Sequence, residues 1–189
     1  YELFKKNGFK LRNRIIWYYG HGLHANKRFS GRYETLLWFT KTERYTFNLD
    51  SVKVPQKYPD KKHYKGPKAG LPSCNPKGKN PSDVWVMLIN NWRDGFFDIP
   101  NVKHNHVEKT IHPCQFPIEL AERVILALSN ENDTVFDPFV GAGTTVVAAV
   151  KNNRIGIGCD YKSEYISVAN ERIRLLLRGD LKIRAPIVV

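Results

Sequence analysis

The stretch Thr134-Val-Phe-Asp-Pro-Phe-Val-Gly-Ala-Gly-Thr-Thr145 decides how the rest of this chain is read. Val135 and Phe136 lead into Asp137 as a short apolar strand does, the turn Gly141-Ala-Gly143 follows, and residues 144–150 have the small apolar side chains of a packed helix. A strand, tight turn and helix present backbone N–H groups and the positive end of a helix to a ligand, and glycine lets that ligand come close. The pattern is that of a nucleotide-type cofactor site. Glycines also close ordinary α/β turns that hold nothing, so the acid that follows matters. Residues 154–159, Arg-Ile-Gly-Ile-Gly-Cys, are expected to form a second buried strand. It ends in Asp160, about 20 residues beyond the glycines, where a carboxylate grips ribose hydroxyls.

Helices are expected on both sides of this unit. Pro117 suits a first helical position, Glu119 and Glu122 favour the positive end, and Leu120, Val124 and Leu128 recur every four residues. Residues 130–133 break that helix. Ser163 is the expected N-cap of another, running to about residue 177, with Ile166, Ala169 and Ile173 on its apolar face. The tail from 179 to 189 carries no clear signal.

The N-terminal part has another character. Residues 1–7 suit the tail of a helix stopped by Gly8. Residues 11–18 and 35–40 are β-branched and aromatic strands, joined by a loop with glycine, histidine and arginine. They suit an antiparallel pair at a sheet edge. From 41 to 110 prolines and lysines crowd together, with only short strand-like pieces such as 83–89 and Trp85 expected in a small core. Lys and Arg outnumber Asp and Glu there by about two to one, with Tyr45, Tyr58, Tyr64, Trp85 and Trp92 interleaved. Such a surface suits phosphates and bases; a solvated insertion has the same composition.

The 189 residues allow one domain and a modest appendage. With 30 Lys and Arg against 18 Asp and Glu the formal charge is +12, which favours a polyanionic partner, nucleic acid first. No apolar run is long enough to cross a bilayer and no signal peptide is visible, so a soluble, intracellular protein without a membrane partner is expected. Three cysteines are an odd number without metal-type pairing, which argues against a disulfide framework. His104, His106, His112 and Cys114 match no usual zinc spacing, so no metal site is expected.

His112-Pro-Cys-Gln-Phe-Pro117, a helix, Asp137-Pro-Phe-Val-Gly-Ala-Gly-Thr-Thr145 and Gly156-Ile-Gly-Cys-Asp160 together resemble the cofactor half of the amino-type DNA methyltransferases, which methylate adenine N6 or cytosine N4. Upstream, Asn13-Arg-Ile-Ile-Trp17 and Arg28-Phe-Ser-Gly-Arg-Tyr-Glu-Thr-Leu-Leu-Trp-Phe39 resemble the two strands before that family's variable region. The motif order is that of its beta group. The resemblance implies an α/β fold that is part of a Rossmann-like methyltransferase sheet. Residues 1–40 would be edge strands of the catalytic domain, 41–110 an inserted target-recognition region, and 111–189 the S-adenosyl-L-methionine-binding part.

By the same resemblance, Asp137 and the backbone of Gly141 and Gly143 would lie against the methionine portion of the cofactor, with Phe139 near the transferable methyl. Thr144 would hydrogen-bond the amino acid group, Asp160 both ribose hydroxyls, and Tyr161 would cover the adenine. His112, Pro113 and Gln115 would form the near wall. Many relatives carry Lys where this chain has Phe116.

One departure is larger. The family holds its target base with Asp, Asn or Ser followed by Pro-Pro and an aromatic residue, and this chain contains no Pro-Pro. Asp137-Pro-Phe139 belongs to the cofactor turn, so no catalytic residue is assigned. In the family's sheet the strands of the absent portion lie between the two halves present here, and a fragment lacking central strands is expected. The implied function is sequence-specific methylation of double-stranded DNA in a prokaryotic cytoplasm, as part of restriction-modification, adenine N6 before cytosine N4. The partner would be the missing N-terminal part of the same protein, with a homodimer left open. Two alternatives stay open: a catalytically incomplete DNA-recognition subunit, and another Rossmann-type enzyme acting on RNA or a small molecule or using a nicotinamide.

Overall fold

The computed structural model describes residues 1–20, 22, 24–86 and 99–185. The described residues fall into two units, one drawn from 1–45 and 49–86 and the other from 46–48 and 99–185.

The first unit is built on a three-stranded sheet. After the short helix α1 (Glu2–Lys6), ended by Gly8 in the left-handed region, β1 (Lys10–Tyr18) pairs antiparallel with β2 (Tyr33–Thr40). The pairing runs from Lys10 opposite Thr40 to Tyr18 opposite Tyr33, with an irregularity between Leu11 and Asn13. The expected antiparallel pair is thus present. On the other side of β1 lies β3 (Val84–Val86), parallel, with Trp17 beside Trp85. Both tryptophans are buried, and the Trp85 indole donates to the Ser82 carbonyl at 2.9 Å. Residues 87–89, the rest of the expected strand, lie outside the described residues. Between β2 and β3 the chain is irregular, clipped by isolated bridges between Val54 and Lys79 and between Lys62 and Pro72.

The second unit is a βαβ arrangement with two flanking helices. β4 (Thr134–Asp137) and β5 (Ile155–Gly158) pair in parallel, Thr134 beside Ile155 and Asp137 beside Gly158. The helix that joins them, α3 (Thr144–Lys151), packs against α2 (Ile118–Leu128) and α4 (Ser163–Arg178). Val147, Ala148 and Ala149 of α3 are fully buried with Ile118, Ala121 and Ile125 of α2. Small side chains in the middle helix let both neighbours come close, which is why this segment is poor in large residues. The end of α2 is held by Asn48, whose N–H donates to Ala127 O and whose amide donates to Ser129 O.

Several expectations need correction. The core stripe of α2 is Ile118, Ala121 and Ile125; Leu120 is buried, but Val124 and Leu128 are only half-buried. Ser163 is the first residue of α4, after Lys162 as N-cap, and makes no side-chain cap. The tail is not neutral, because Leu181 and Ile183 pack on the core. Nor is β5 buried. Side chains alternate across a sheet, so Val135 turns to the helices while Phe136, Ile155 and Ile157 stand about half exposed on the other face. No described helix is long and apolar enough to cross a membrane.

Candidate functional site

Ligands of parallel sheets bind outside the carboxyl ends of the strands, and there the chain makes two loops, 138–143 after β4 and 159–162 after β5. The loops are stitched together by backbone: the Cys159 N–H donates to Asp137 O at 3.1 Å and the Val140 N–H to Cys159 O at 2.9 Å. Asp137 fixes the first loop from within. One carboxylate oxygen accepts the Phe139 N–H at 3.0 Å and the other the Thr145 hydroxyl at 2.6 Å.

Glycine is required twice in this turn. Gly141 has φ +49° and Gly143 φ +77°, a region side chains disfavour. A Cβ on Gly143 would sit 2.6 Å from the Cβ of Ala169 on α4, and one on Gly141 would sit 2.8 Å from His112 Nε2. The second contact places the His112 ring against the turn. The same ring meets Tyr165 edge-on, centroids 4.5 Å apart.

Asp160 joins the loops through its side chain, accepting the Gly141 N–H and the Lys162 N–H, each at 3.0 Å. The Lys162 N–H is the main influence that holds this carboxyl below its ordinary range; partial burial opposes it, and the Gly141 N–H, the His112 ring and the Tyr161 N–H add to the lowering. An ionised carboxylate offers about four lone-pair sites, and two N–H groups leave capacity for further donors. Two aromatic rings stand out at the same end of the sheet, Phe139 at 85% and Tyr161 at 89% exposed. The N-terminus of α3 follows the turn directly, with Gly143 as a cap that has no side chain, so its first N–H groups lack intrahelical acceptors.

The predicted residues divide into two sets. His112, Asp137, Phe139, Gly141, Gly143, Asp160 and Tyr161 lie on or against the two loops, and Pro113 is exposed beside His112. Gln115 and Thr144 are buried, with their polar atoms taken up by protein. Gln115 accepts from the Thr110 N–H and hydroxyl and donates to Glu108 O at 2.6 Å. The Thr144 hydroxyl donates to Phe116 O at 3.3 Å and accepts from Arg172 at 3.1 Å. Phe116 itself packs on the core.

The supports of the site escaped sequence reading. Thr145, Glu108, Arg172 and Tyr165 all hold its walls, and only Arg172 left a usable sign, being a charged residue three positions after Ala169 on an otherwise apolar face. Among the described residues no cluster of three or more His, Cys, Asp or Glu could hold a metal, and Cys74, Cys114 and Cys159 are free thiols.

Similarity to known proteins covers most of the chain. The type II methyltransferase M.BglII of Bacillus subtilis is 49% identical over 169 residues, 89% of this chain and 44% of that protein. The DNA adenine methyltransferase YhdJ of Escherichia coli (strain K12) is 34% identical over 167 residues, 87% of this chain and 53% of that protein. The crystal structure of M1.HpyAVI in complex with SAM superposes with a TM-score of 0.55 at 25% identity, covering 90% of this chain and 66% of that one. The chain spans about half the length of the curated relatives it matches. Residues 1–171 match the model of the DNA methylase family, to which this chain belongs.

Proposed function

We propose that this chain is the cofactor-binding and DNA-recognition part of a DNA methyltransferase that moves a methyl group from S-adenosyl-L-methionine to an exocyclic amine of a base in duplex DNA. The observation that carries the reading is the Asp160 carboxylate, charged, and bonded to the glycine turn at the carboxyl end of a parallel strand pair. The cofactor has a ribose diol, a purine and a zwitterionic amino acid, and the residues present fit each part. Asp160 accepts from the diol, Tyr161 offers a face for the purine, and the N-terminus of α3 suits the carboxylate. Phe139 would stand near the reacting methyl, and His112 and Pro113 would form the near wall, with Gln115 holding that segment from within through Thr110 and Glu108. The similarity to M1.HpyAVI, crystallised as its SAM complex, supports the choice of cofactor.

Bound S-adenosyl-L-methionine supplies an electrophilic methyl on a positively charged sulfur. An exocyclic amine is a weak nucleophile, because its lone pair is shared with the ring. It needs acceptors for its N–H groups and an in-line position, with the base flipped from the duplex. No Pro-Pro stands in these 189 residues, so the acceptors and stacking ring belong to the missing N-terminal part of a longer polypeptide. The apolar face of Phe136, Ile155 and Ile157 supports a place for that part on the β4–β5 sheet. Adenine N6 is preferred to cytosine N4, as the name of YhdJ suggests, and the name of M.BglII, a type II methyltransferase, supports a role in restriction-modification.

The DNA-facing part is the region from 41 to 110. There an open groove of about 440 Å³ is lined by Lys57, Lys61, Lys62 and Lys79 with Tyr58 and Tyr64, and no carboxylate lines it among the described residues. A basic, aromatic groove follows phosphates and touches bases. The absent base-holding motif also suits a second reading, a recognition subunit that holds DNA for another protein.

Labelled S-adenosyl-L-methionine and duplex DNA test both readings. The full-length protein transfers label to adenine and the 189-residue chain transfers none. Transfer by the isolated chain sinks the divided-site reading, and a full-length protein that binds DNA but transfers nothing leaves only the recognition subunit.

A further inference from the structure

Arg172 is 5% exposed on α4, and burying a guanidinium is expensive unless its donors are well used. Its Nη1 donates to Ala142 O at 2.7 Å and to the Thr144 hydroxyl at 3.1 Å, while Nη2 has no hydrogen-bond partner among the described residues. Neither bond supports α4 itself. Both go to the backbone and first helical residue of the glycine turn, 28 and 30 positions away in sequence. The Thr144 hydroxyl passes the link on to Phe116 O, in the segment that begins with His112. Glu108, the carboxylate that acts on Arg172 electrostatically, binds the Ile118 N–H at 2.8 Å and the Arg184 N–H at 3.2 Å, while its carbonyl accepts from Gln115.

We infer that Arg172 is a positioning residue that locks the glycine turn to the His112–Pro117 wall, so that both faces of the cofactor site are set before a ligand arrives. The inference rests on the proposed cofactor reading for its effect on catalysis but not for its effect on the turn. The Ala142 carbonyl is held from below by Arg172 while the Gly143 N–H of the same peptide donates to Val140 O at 2.7 Å. That peptide is pinned at both ends, and releasing one end frees the turn.

The test uses the full-length protein with Arg172→Lys, which keeps the charge but not the planar fork. Hydrogen exchange of the 140–145 amides in ligand-free protein should quicken by about tenfold or more, the size expected from losing a hydrogen bond to a charged group. The KM for S-adenosyl-L-methionine should rise by a similar factor, with kcat and the KM for DNA within about threefold of wild type. Thr144→Val, which breaks the link to Phe116 and leaves Arg172, should loosen the 112–117 segment, and Thr144→Ser should restore it. A thermal midpoint that falls while exchange at 140–145 and the cofactor KM stay at wild-type values overturns the inference, as does an unchanged exchange pattern in Thr144→Val. If wild type fails to bind S-adenosyl-L-methionine, the cofactor reading fails; the exchange result still decides the role of Arg172.

Discussion

The Gly141 N–H donates to Asp160 Oδ2 at 3.0 Å, tying the turn after β4 to the acid after β5 across 19 residues of sequence. The carboxylate therefore has a structural task as well as its proposed one, and Asp160→Asn separates them. An amide keeps one acceptor for Gly141 or Lys162 and loses the charge. In the full-length protein, affinity for S-adenosyl-L-methionine by calorimetry should fall by about tenfold to a hundredfold, from losing about 1.5 to 3 kcal/mol of charged hydrogen bonding. An analogue without the two ribose hydroxyls should bind wild type and variant alike. If the analogue is as sensitive as the cofactor, Asp160 acts only through the turn.

Gly143 supports a sharper stability prediction. Gly143→Ala meets two penalties, a left-handed backbone at φ +77° and a Cβ 2.6 Å from the Cβ of Ala169. The first costs about 1 to 2 kcal/mol and the second about 1 to 3 kcal/mol. Adding Ala169→Gly removes the Cβ contact but leaves the Cα of residue 169 at 2.9 Å and the backbone strain in place, and itself costs about 1 kcal/mol in a helix. Chemical denaturation should show the single variant destabilised by about 2 to 5 kcal/mol, with a coupling energy between the two sites that is clearly favourable. Strict additivity would mean that the Cβ–Cβ contact adds nothing to the clash with the α4 backbone.

The cofactor turn was legible because its signals are local. Strand, glycines, helix and acid follow one another in order, and Thr134 to Asp160 needs no partner from elsewhere to be recognised. What pairs with what was much less legible. β3 lies parallel to β1, Trp17 beside Trp85, with over 60 residues between them, and no local pattern encodes such a choice. The apolar residues of β5 misled for a related reason: Ile155 and Ile157 signal burial, yet alternation directs them to a face where each stays about half exposed. Glu108 carries no local signal and Gln115 reads by resemblance as part of the near wall, since only the fold reveals that each satisfies buried backbone or side-chain groups.

His106 makes the second unit sensitive to acid. Its Nδ1 accepts the Glu108 N–H at 3.2 Å, and its Nε2 is buried without a hydrogen-bond partner among the described residues. Burial is the main cause that lowers its pKa; the Glu108 charge opposes this and Arg184 adds to it. As pH falls the unfolded chain takes up this proton first, near 6.5. The stabilisation is thus full above about pH 6.5 and is lost as pH falls through the lower folded value. His106→Asn keeps an acceptor for Glu108 without the titration. Between pH 7 and pH 5 its thermal midpoint should fall less than that of wild type. Parallel curves would show that the ring does not titrate with folding.

The lysine groove separates phosphate contacts from base contacts. Its frame is backbone: Val54 and Lys79 exchange N–H···O bonds at 3.0 and 2.9 Å, the Ser73 N–H donates to Lys61 O and the His63 N–H to Leu71 O. Side chains of Lys61 and Lys62 can therefore change without loss of the groove. If both touch phosphates, Lys61→Gln and Lys62→Gln should each reduce the slope of log affinity against log salt by about 0.9. Loss of affinity would be the same for cognate and unrelated duplexes, because phosphates carry no sequence information. Tyr64, 90% exposed, should behave differently. Tyr64→Ala should leave the salt slope intact and weaken binding by about 1 to 3 kcal/mol if the ring stacks on a base. A Lys61 variant that loses preference for the cognate site at unchanged salt slope would make that lysine a base-reading residue and move the phosphate track elsewhere.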